Sequence, residues 1–359
     1  MLGELRNYHE QPAQTPEGNF KHWKSVVGLP DSFPKLSPIE DNPDGFHAGN
    51  VHKAVIGEIL QTGSPLRVAV IRGQGCTTLS RYVHHALEEQ SLSARTIPIF
   101  MHVDYDRGEP MHYNEELSGR IRYGIAHLLA TQPVWNQVGK HEYANALGGR
   151  DGRQCEELQK NLNGIVQHHR LMNPDQDGYI SRDQVGGFFP IHLNPFPILE
   201  DPLHHPLFKY LQKRGFGLKF VFDLSPRFSE NYDPEVYAGY SKLASSMKKK
   251  LEEFQKQNSE LRVDEIYFSD PYTLKKIFPG DQRVGWDIEY PPYSPADVFA
   301  ILAKQYRPEA GHLATVIDPQ LLERLVKPDR PLAEIIDEFG RDLKQRMQSF
   351  DSLPYRIHS

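Results

Sequence analysis

Short apolar runs alternate with longer amphipathic stretches along most of this chain. From Val51, apolar residues recur at helical spacing, with Val51, Val55, Ile59 and Leu60 on one face. The segment Arg67–Arg72 reads as a buried strand that enters a Gly-x-Gly turn and then a helix over Thr77–Glu89. A second strand is predicted over Thr96–Val103. Residues 112–170 read as mainly helical, with Leu117, Ile121, Ile125, Leu128 and Leu129 as the apolar face. GLKFVFDLSP predicts a strand ending in an acid. Residues 234–258 predict a helix with a charged second half, and EIYFSD predicts another strand. Helices over Pro295–Gln305 and Leu332–Ser349, with a shorter one near Gln320–Val326, close the chain. Strands alternating with helices over residues 60–290 predict a mainly parallel sheet covered on both faces.

Turn-forming residues divide this pattern. Residues 1–50, with GLPDSFPKLSP and EDNPDGF, read as an extended arm that Trp23, Phe33 and Phe46 would anchor. Pro174, Pro190, Pro195, Pro197, Pro202 and Pro206 limit any long helix over 171–207. The expected plan is therefore an N-terminal arm (1–50), an α/β domain (51–291) carrying a turn-rich insertion (171–207), and a helical lid-like unit (292–359).

Composition narrows the class. Of 359 residues, 38% are hydrophobic and 11% aromatic, too many for a wholly disordered chain. No apolar run nears the ~18–20 residues of a membrane span. The net charge of −6 argues against a generally basic nucleic-acid coat protein, although a local basic patch is compatible with it. Cys76 and Cys155 are too few for a disulfide scaffold. With MLGELRNYHEQ lacking the design of a secretory signal, the expected location is cytoplasmic, with nuclear as the alternative.

The richest chemistry lies in LRVAVIRGQGCTTLSRYVHHALEEQ. A strand turning through glycines into a helix aims free backbone N–H groups, reinforced by the helix dipole, at whatever lies above the helix N-terminus, and phosphate suits that place. Glycines permit close approach and positive φ, and a hydroxyl on the first helical turn can reach Mg²⁺. Gly73, Gly75, Thr77 and Thr78 stand at those places.

With these residues the chain resembles P-loop NTPases, particularly of the AAA+ and related STAND type. VIRGQGCTTLSRYV is similar to their strand–GxGKTTL–helix, and KFVFDLS, ending its apolar run at Asp223, looks like a Walker B strand. The resemblance implies a three-layer α/β sandwich with a C-terminal helical lid. It also implies a nucleotide site (ATP or ADP with Mg²⁺) at Gly73, Gln74, Gly75, Cys76, Thr77 and Thr78. Thr77 and Asp223 would serve the metal, Ser269 would act as a γ-phosphate sensor, and Arg283 as an arginine finger toward a neighbouring subunit. DIEYPPYSPADVFAILAKQY resembles the entry to a lid, and EFGRDLKQRM its helix, with Arg341 as the coupling arginine. Oligomeric assembly, or action on a protein or DNA partner, is a further implication. The Phe220–Asp223 strand is expected beside the strand that feeds the loop.

The departures bear on activity. Cys76 stands where the family has its phosphate-binding Lys, Val70 where the motif's first Gly would fall, and Leu224 where many members carry a water-activating Glu. Losing the phosphate-binding cation and the water-activating carboxylate should harm hydrolysis more than binding, because both act chiefly on transition-state charge or on the attacking water. Three readings stay open. The first is a nucleotide-binding or pseudo-ATPase protein with weak or absent hydrolysis. The second is an interaction protein with a relic P-loop. The third is an active NTPase in which a basic residue such as Arg72 replaces the missing charge.

Asn173, Asp175 and Asp177 match positions one, three and five of an EF-hand loop, with Gly178 at the turn, Tyr179 offering a carbonyl and Ile180 apolar. Gln184 replaces the bidentate Glu, and Gly186, Gly187 and Pro190 weaken an exit helix. An acidic Asx-type turn therefore competes with calcium binding. The pairs His84–His85, His168–His169 and His204–His205 lack metal-ligand spacing. Lys248–Lys250 followed by Glu252 and Glu253 reads as a solvated helix face.

Overall fold

A computed structural model of the protein describes residues 48–102, 113–131, 201–225, 234–279, 286–306, 319–327 and 330–348. It also describes residues 160, 162–164, 166–167 and 178–180. The N-terminal arm before residue 48, most of the 171–207 insertion, Tyr105–Asp106–Arg107, Cys155, His168–His169 and Arg283 lie outside the described residues, as do Asn173, Asp175 and Asp177.

In chain order the elements are α1 (Asn50–Gln61), β1 (Leu66–Val70), α2 (Cys76–Glu89), α3 (Ser91–Ala94), β2 (Thr96–His102) and α4 (Tyr113–Thr131). They continue with α5 (Pro206–Lys213), β3 (Gly217–Asp223), α6 (Pro234–Gln257), β4 (Val263–Ser269), α7 (Pro271–Ile277) and β5 (Ile288–Tyr290). α8 (Pro295–Tyr306), α9 (Pro319–Leu325) and α10 (Leu332–Gln348) complete the series. Among the described residues, no helix is long and apolar enough to cross a membrane.

The strands form one sheet in the order β2-β3-β4-β1-β5, and the β2–β3, β3–β4 and β4–β1 pairings are parallel. Parallel neighbours require crossover connections, and the helices between successive strands supply them. The protein is thus a mixed α/β fold of the kind expected. The expected adjacency of β1 and β3, on which the ATPase resemblance rested, is corrected, because β4 lies between them, and that adjacency lends the resemblance no support. At about 4.8 Å per strand, β1 and β3 are roughly 10 Å apart. Ala69 is level with Ser269, and Phe268 with Asp223. Ser269 therefore ends the strand that separates β1 from β3.

The chain divides into two compact units. One comprises Ile56–Ala69 with Leu79–Glu289, and the other joins Val70–Thr78 to the N-terminal residues through Val55 and to Tyr290–Ser359. In the first unit, the consecutive residues Phe220, Val221 and Phe222 are all buried. Neighbours on a strand point to opposite faces, so β3 is covered on both. Phe222 stacks on Tyr267 at 4.8 Å, and Tyr267 meets the edge of Phe278 at 5.0 Å. Burial of each such ring contributes about 1.5–3 kcal/mol. α7 starts sharply because Asp270 accepts from the amides of Tyr272 and Thr273, with Pro271 in the first helical turn.

In the second unit, α8 begins with a reciprocal cap. Ser294 N donates to Asp297 Oδ2 at 2.9 Å, and Asp297 N donates to Ser294 Oγ at 3.2 Å. Val298, Leu302, Leu322, Ile335 and Phe339 form the apolar interior of α8, α9 and α10. His52 stacks on Tyr293 at 4.7 Å, and its Nε2 is 3.2 Å from the Pro291 carbonyl.

Candidate functional site

β1 ends at Val70, and the chain turns at once, with Gln74 N donating to Ile71 O at 3.0 Å. Gly73 and Gly75 have φ of 77° and 79°. L side chains are strained in that region, so both glycines are required by the turn itself. Among the described residues beyond its chain neighbours, a Cβ on Gly75 would meet Thr78 alone, at 3.8 Å. α2 then starts at Cys76 with no acidic residue in its first turn, so no carboxylate of that turn neutralises the positive end of its dipole. Cys76 is a buried thiol outside any disulfide, so the place where the resemblance puts a lysine holds a side chain that carries no positive charge. Thr77 and Thr78 are half-buried in the first turn, and Arg72 is exposed.

The same turn meets the segment that opens α10. Gly73 O accepts from Leu332 N at 2.9 Å, and Gln74 Nε2 donates to Arg330 O at 2.6 Å. A Cβ on Gly73 would lie 2.3 Å from Pro331 Cβ. Arg330 is itself held, donating to Glu338 and to Leu325 O, with Glu334 at 3.9 Å. Arg341, the lid arginine expected from the resemblance, is exposed on α10. Arg330, which sequence reasoning passed over, is the arginine whose backbone meets the loop. Pro331, placed just before the helix, was the one available hint of a helix start there.

In the larger unit, Asp223 ends β3 fully buried. Its Oδ2 is 2.9 Å from His102 Nδ1, and its Oδ1 accepts from Ser225 N at 3.1 Å and from Ser225 Oγ. His102 ends β2 directly opposite Asp223 in register, and its buried Nε2 has no hydrogen-bond partner among the described residues. Ser269, also fully buried, gives its hydroxyl hydrogen to Leu224 O at 2.6 Å, while Leu224 N donates to Phe268 O at 2.8 Å. The ends of β3 and β4 are thereby tied together. His102 and Ser225 were not singled out from sequence, since pairing of residues 102 and 223 depends on strand register.

For the acidic loop, Gly178 takes a φ of 79°, as a sharp turn requires. The following Ile180 N donates to Gly119 O at 3.1 Å, and its carbonyl accepts from Arg122. Burial raises the Tyr179 hydroxyl above its usual range, with Glu115 adding to the shift. Among the described residues, no group of three His, Cys, Asp or Glu side chains is placed to hold a metal ion. The described histidines make local contacts. His85 Nδ1 is 3.4 Å from Glu88, His127 Nδ1 is 3.5 Å from the same carboxylate, and His204 is 2.8 Å from Asp201. Burial lowers His84 to about 4. Lys248 pairs with Glu252 and Lys250 with Glu253, one turn away on α6.

No family model and no curated protein matches the chain. Among solved structures it is similar to the Aeropyrum pernix ORC2 protein, determined as ADPNP–ADP complexes. Identity is 13% and the TM-score 0.34, over 88% of this chain and 69% of that one.

Proposed function

We propose that the protein is an AAA+-like P-loop protein, a three-layer sandwich with a helical lid, that binds ATP or ADP at the Gly73–Thr78 turn. In this reading it acts through oligomeric assembly or on a protein partner, and hydrolysis is weak or absent. One observation carries the reading: two glycines with positive φ lead directly from a parallel strand into a helix whose first turn holds two threonines and no carboxylate. Backbone N–H groups there suit phosphate oxygens, and the open position beside Gly75 suits close approach. Thr77 would hold Mg²⁺, which supplies positive charge to the phosphates when bound.

Two features support weak turnover. A cysteine at position 76 supplies no positive charge to a transferring phosphoryl group. The Asp223 carboxylate is committed to His102 and Ser225, a poorer fit to ordering metal-bound water than a carboxylate with free oxygens would be. The roles of Ser269, Arg283 and Arg341 remain those that the resemblance assigns. The same engagement of Asp223 favours a second reading, an interaction protein whose loop is a relic.

Calorimetry with ATP and ADP, with and without Mg²⁺, tests the choice. Saturable binding by the wild type that disappears in Gly75→Val and weakens in Thr77→Ala is expected. Phosphate release should not exceed that of a Thr77→Ala/Asp223→Ala control. Absence of binding under every condition would leave the relic reading.

A further inference from the structure

Gln74 is almost fully buried, at 2% exposure, yet only half of its amide is satisfied. Nε2 donates to Arg330 O, whereas Oε1 is buried and has no hydrogen-bond partner among the described residues. A buried acceptor without a partner is destabilising, so an apolar residue of the same shape would serve packing better. What distinguishes Gln here is its donor end. One residue earlier, Gly73 O accepts the amide of Leu332, the first residue of α10. That amide is one of the helix-start donors with no intrahelical acceptor. The turn thus caps α10 with a backbone carbonyl and grips the residue before Pro331 with a side chain. Pro331 fills the space where Gly73 lacks a Cβ. The Gly73 carbonyl is an acceptor that an anion on the turn would not use, and the Gln74 amide nitrogen is turned to Arg330 O.

We propose that Gln74 is a positioning residue that clasps Arg330–Leu332 to the phosphate loop, so that nucleotide on the loop and order at the start of α10 strengthen each other. The ligand half of this statement rests on the nucleotide-binding reading above. The coupling is reciprocal by linkage: whatever favours the clasped turn must tighten the ligand, and the ligand must tighten the clasp.

The test compares the full-length wild type with Gln74→Glu, which keeps the shape but loses the donor, and with Gln74→Met, which keeps the bulk but loses both polar atoms. Hydrogen exchange is followed in peptides spanning Leu332 and in peptides from β3 as a folding control, with and without ATP. ATP affinity is measured by calorimetry. Both variants are expected to exchange the Leu332 amide about tenfold faster with β3 unchanged, and to bind ATP about tenfold more weakly. ATP should slow exchange at Leu332 in the wild type. Wild-type exchange at Leu332 in both variants overturns the clasp. Faster exchange with unaltered ATP affinity overturns the positioning role. If the wild type binds no ATP, the nucleotide reading and the linkage both fall, while the exchange comparison alone still decides whether the clasp exists.

Discussion

His102 and Asp223 lie directly opposite each other on β2 and β3 and are joined Nδ1 to Oδ2 at 2.9 Å. The carboxylate is fully buried, so its charge depends on donors close at hand. Replacing His102 with Phe should destabilise the protein by about 3 kcal/mol, because a buried acid loses one of its donors. His102→Asn, which keeps a donor, should cost about 1 kcal/mol. Urea unfolding of the three proteins checks the order, and equal midpoints for His102→Phe and wild type would contradict it.

The two glycines of the turn should respond unequally to alanine. At Gly75 the cost is backbone strain alone, about 1–2 kcal/mol, since a Cβ meets nothing closer than 3.8 Å. At Gly73 the same strain is joined by a 2.3 Å approach to Pro331. Gly73→Ala should therefore lower stability more than Gly75→Ala, and it should also loosen α10. Thermal unfolding and helix-resolved hydrogen exchange measure both effects. Matching behaviour of the two variants would mean that Pro331 yields without cost.

How legible this was depends on the range of each interaction. β1, β3 and β4 were readable because each is an apolar run bounded by turn residues, and alternation with helices was enough to foresee parallel pairing. The placement of β4 between β1 and β3 was not readable, because alternation fits several strand orders. Gly73 and Gly75 could be read from local steric rules. The grip of Gln74 on Arg330 could not, since it joins residues 256 positions apart and neither side chain belongs to a periodic face. His102 looked like an ordinary polar strand end until register set it opposite Asp223. Arg341 was assigned on resemblance alone, and the meeting of the Arg330 backbone with the loop depends on packing that no local pattern announces.

Acid should destabilise the protein through His84. Burial lowers this imidazole from 6.5 to about 4, with Glu88 opposing the shift and His127 adding to it. Between those values the unfolded chain binds the proton and the folded protein resists it, so stability falls as pH drops below 6.5 and levels off near 4. The residue as a whole is half-buried, so a loss of about 1 kcal/mol at pH 5 is expected. Denaturant midpoints from pH 7 to pH 4 measure it, and His84→Leu should flatten that slope. An unchanged slope would assign the acid sensitivity elsewhere.

A second acid-sensitive contact has the opposite chemistry. Arg67 donates to Asp287 from its backbone amide at 2.8 Å, from Nε at 3.0 Å and from Nη2 at 2.8 Å. These hydrogen bonds hold the carboxyl below its ordinary value of 3.8. Its stabilising contribution is therefore complete above about 3.8 and fades as pH falls through the lower folded value. Asp287→Asn should remove this fading from the acid end of the profile. Arg67→Lys should weaken the contact even at neutral pH, because a lysine cannot reproduce the fork. Acid titration of unfolding in the two variants separates these effects.

The grouping of Val70–Thr78 with Tyr290–Ser359 bears on how the protein can be dissected. A chain cut after Glu289 would retain every letter of the glycine-threonine motif while deleting Arg330, Pro331 and Leu332. Loss of binding in such a fragment would then report missing buttresses for the turn as readily as the loss of Arg341.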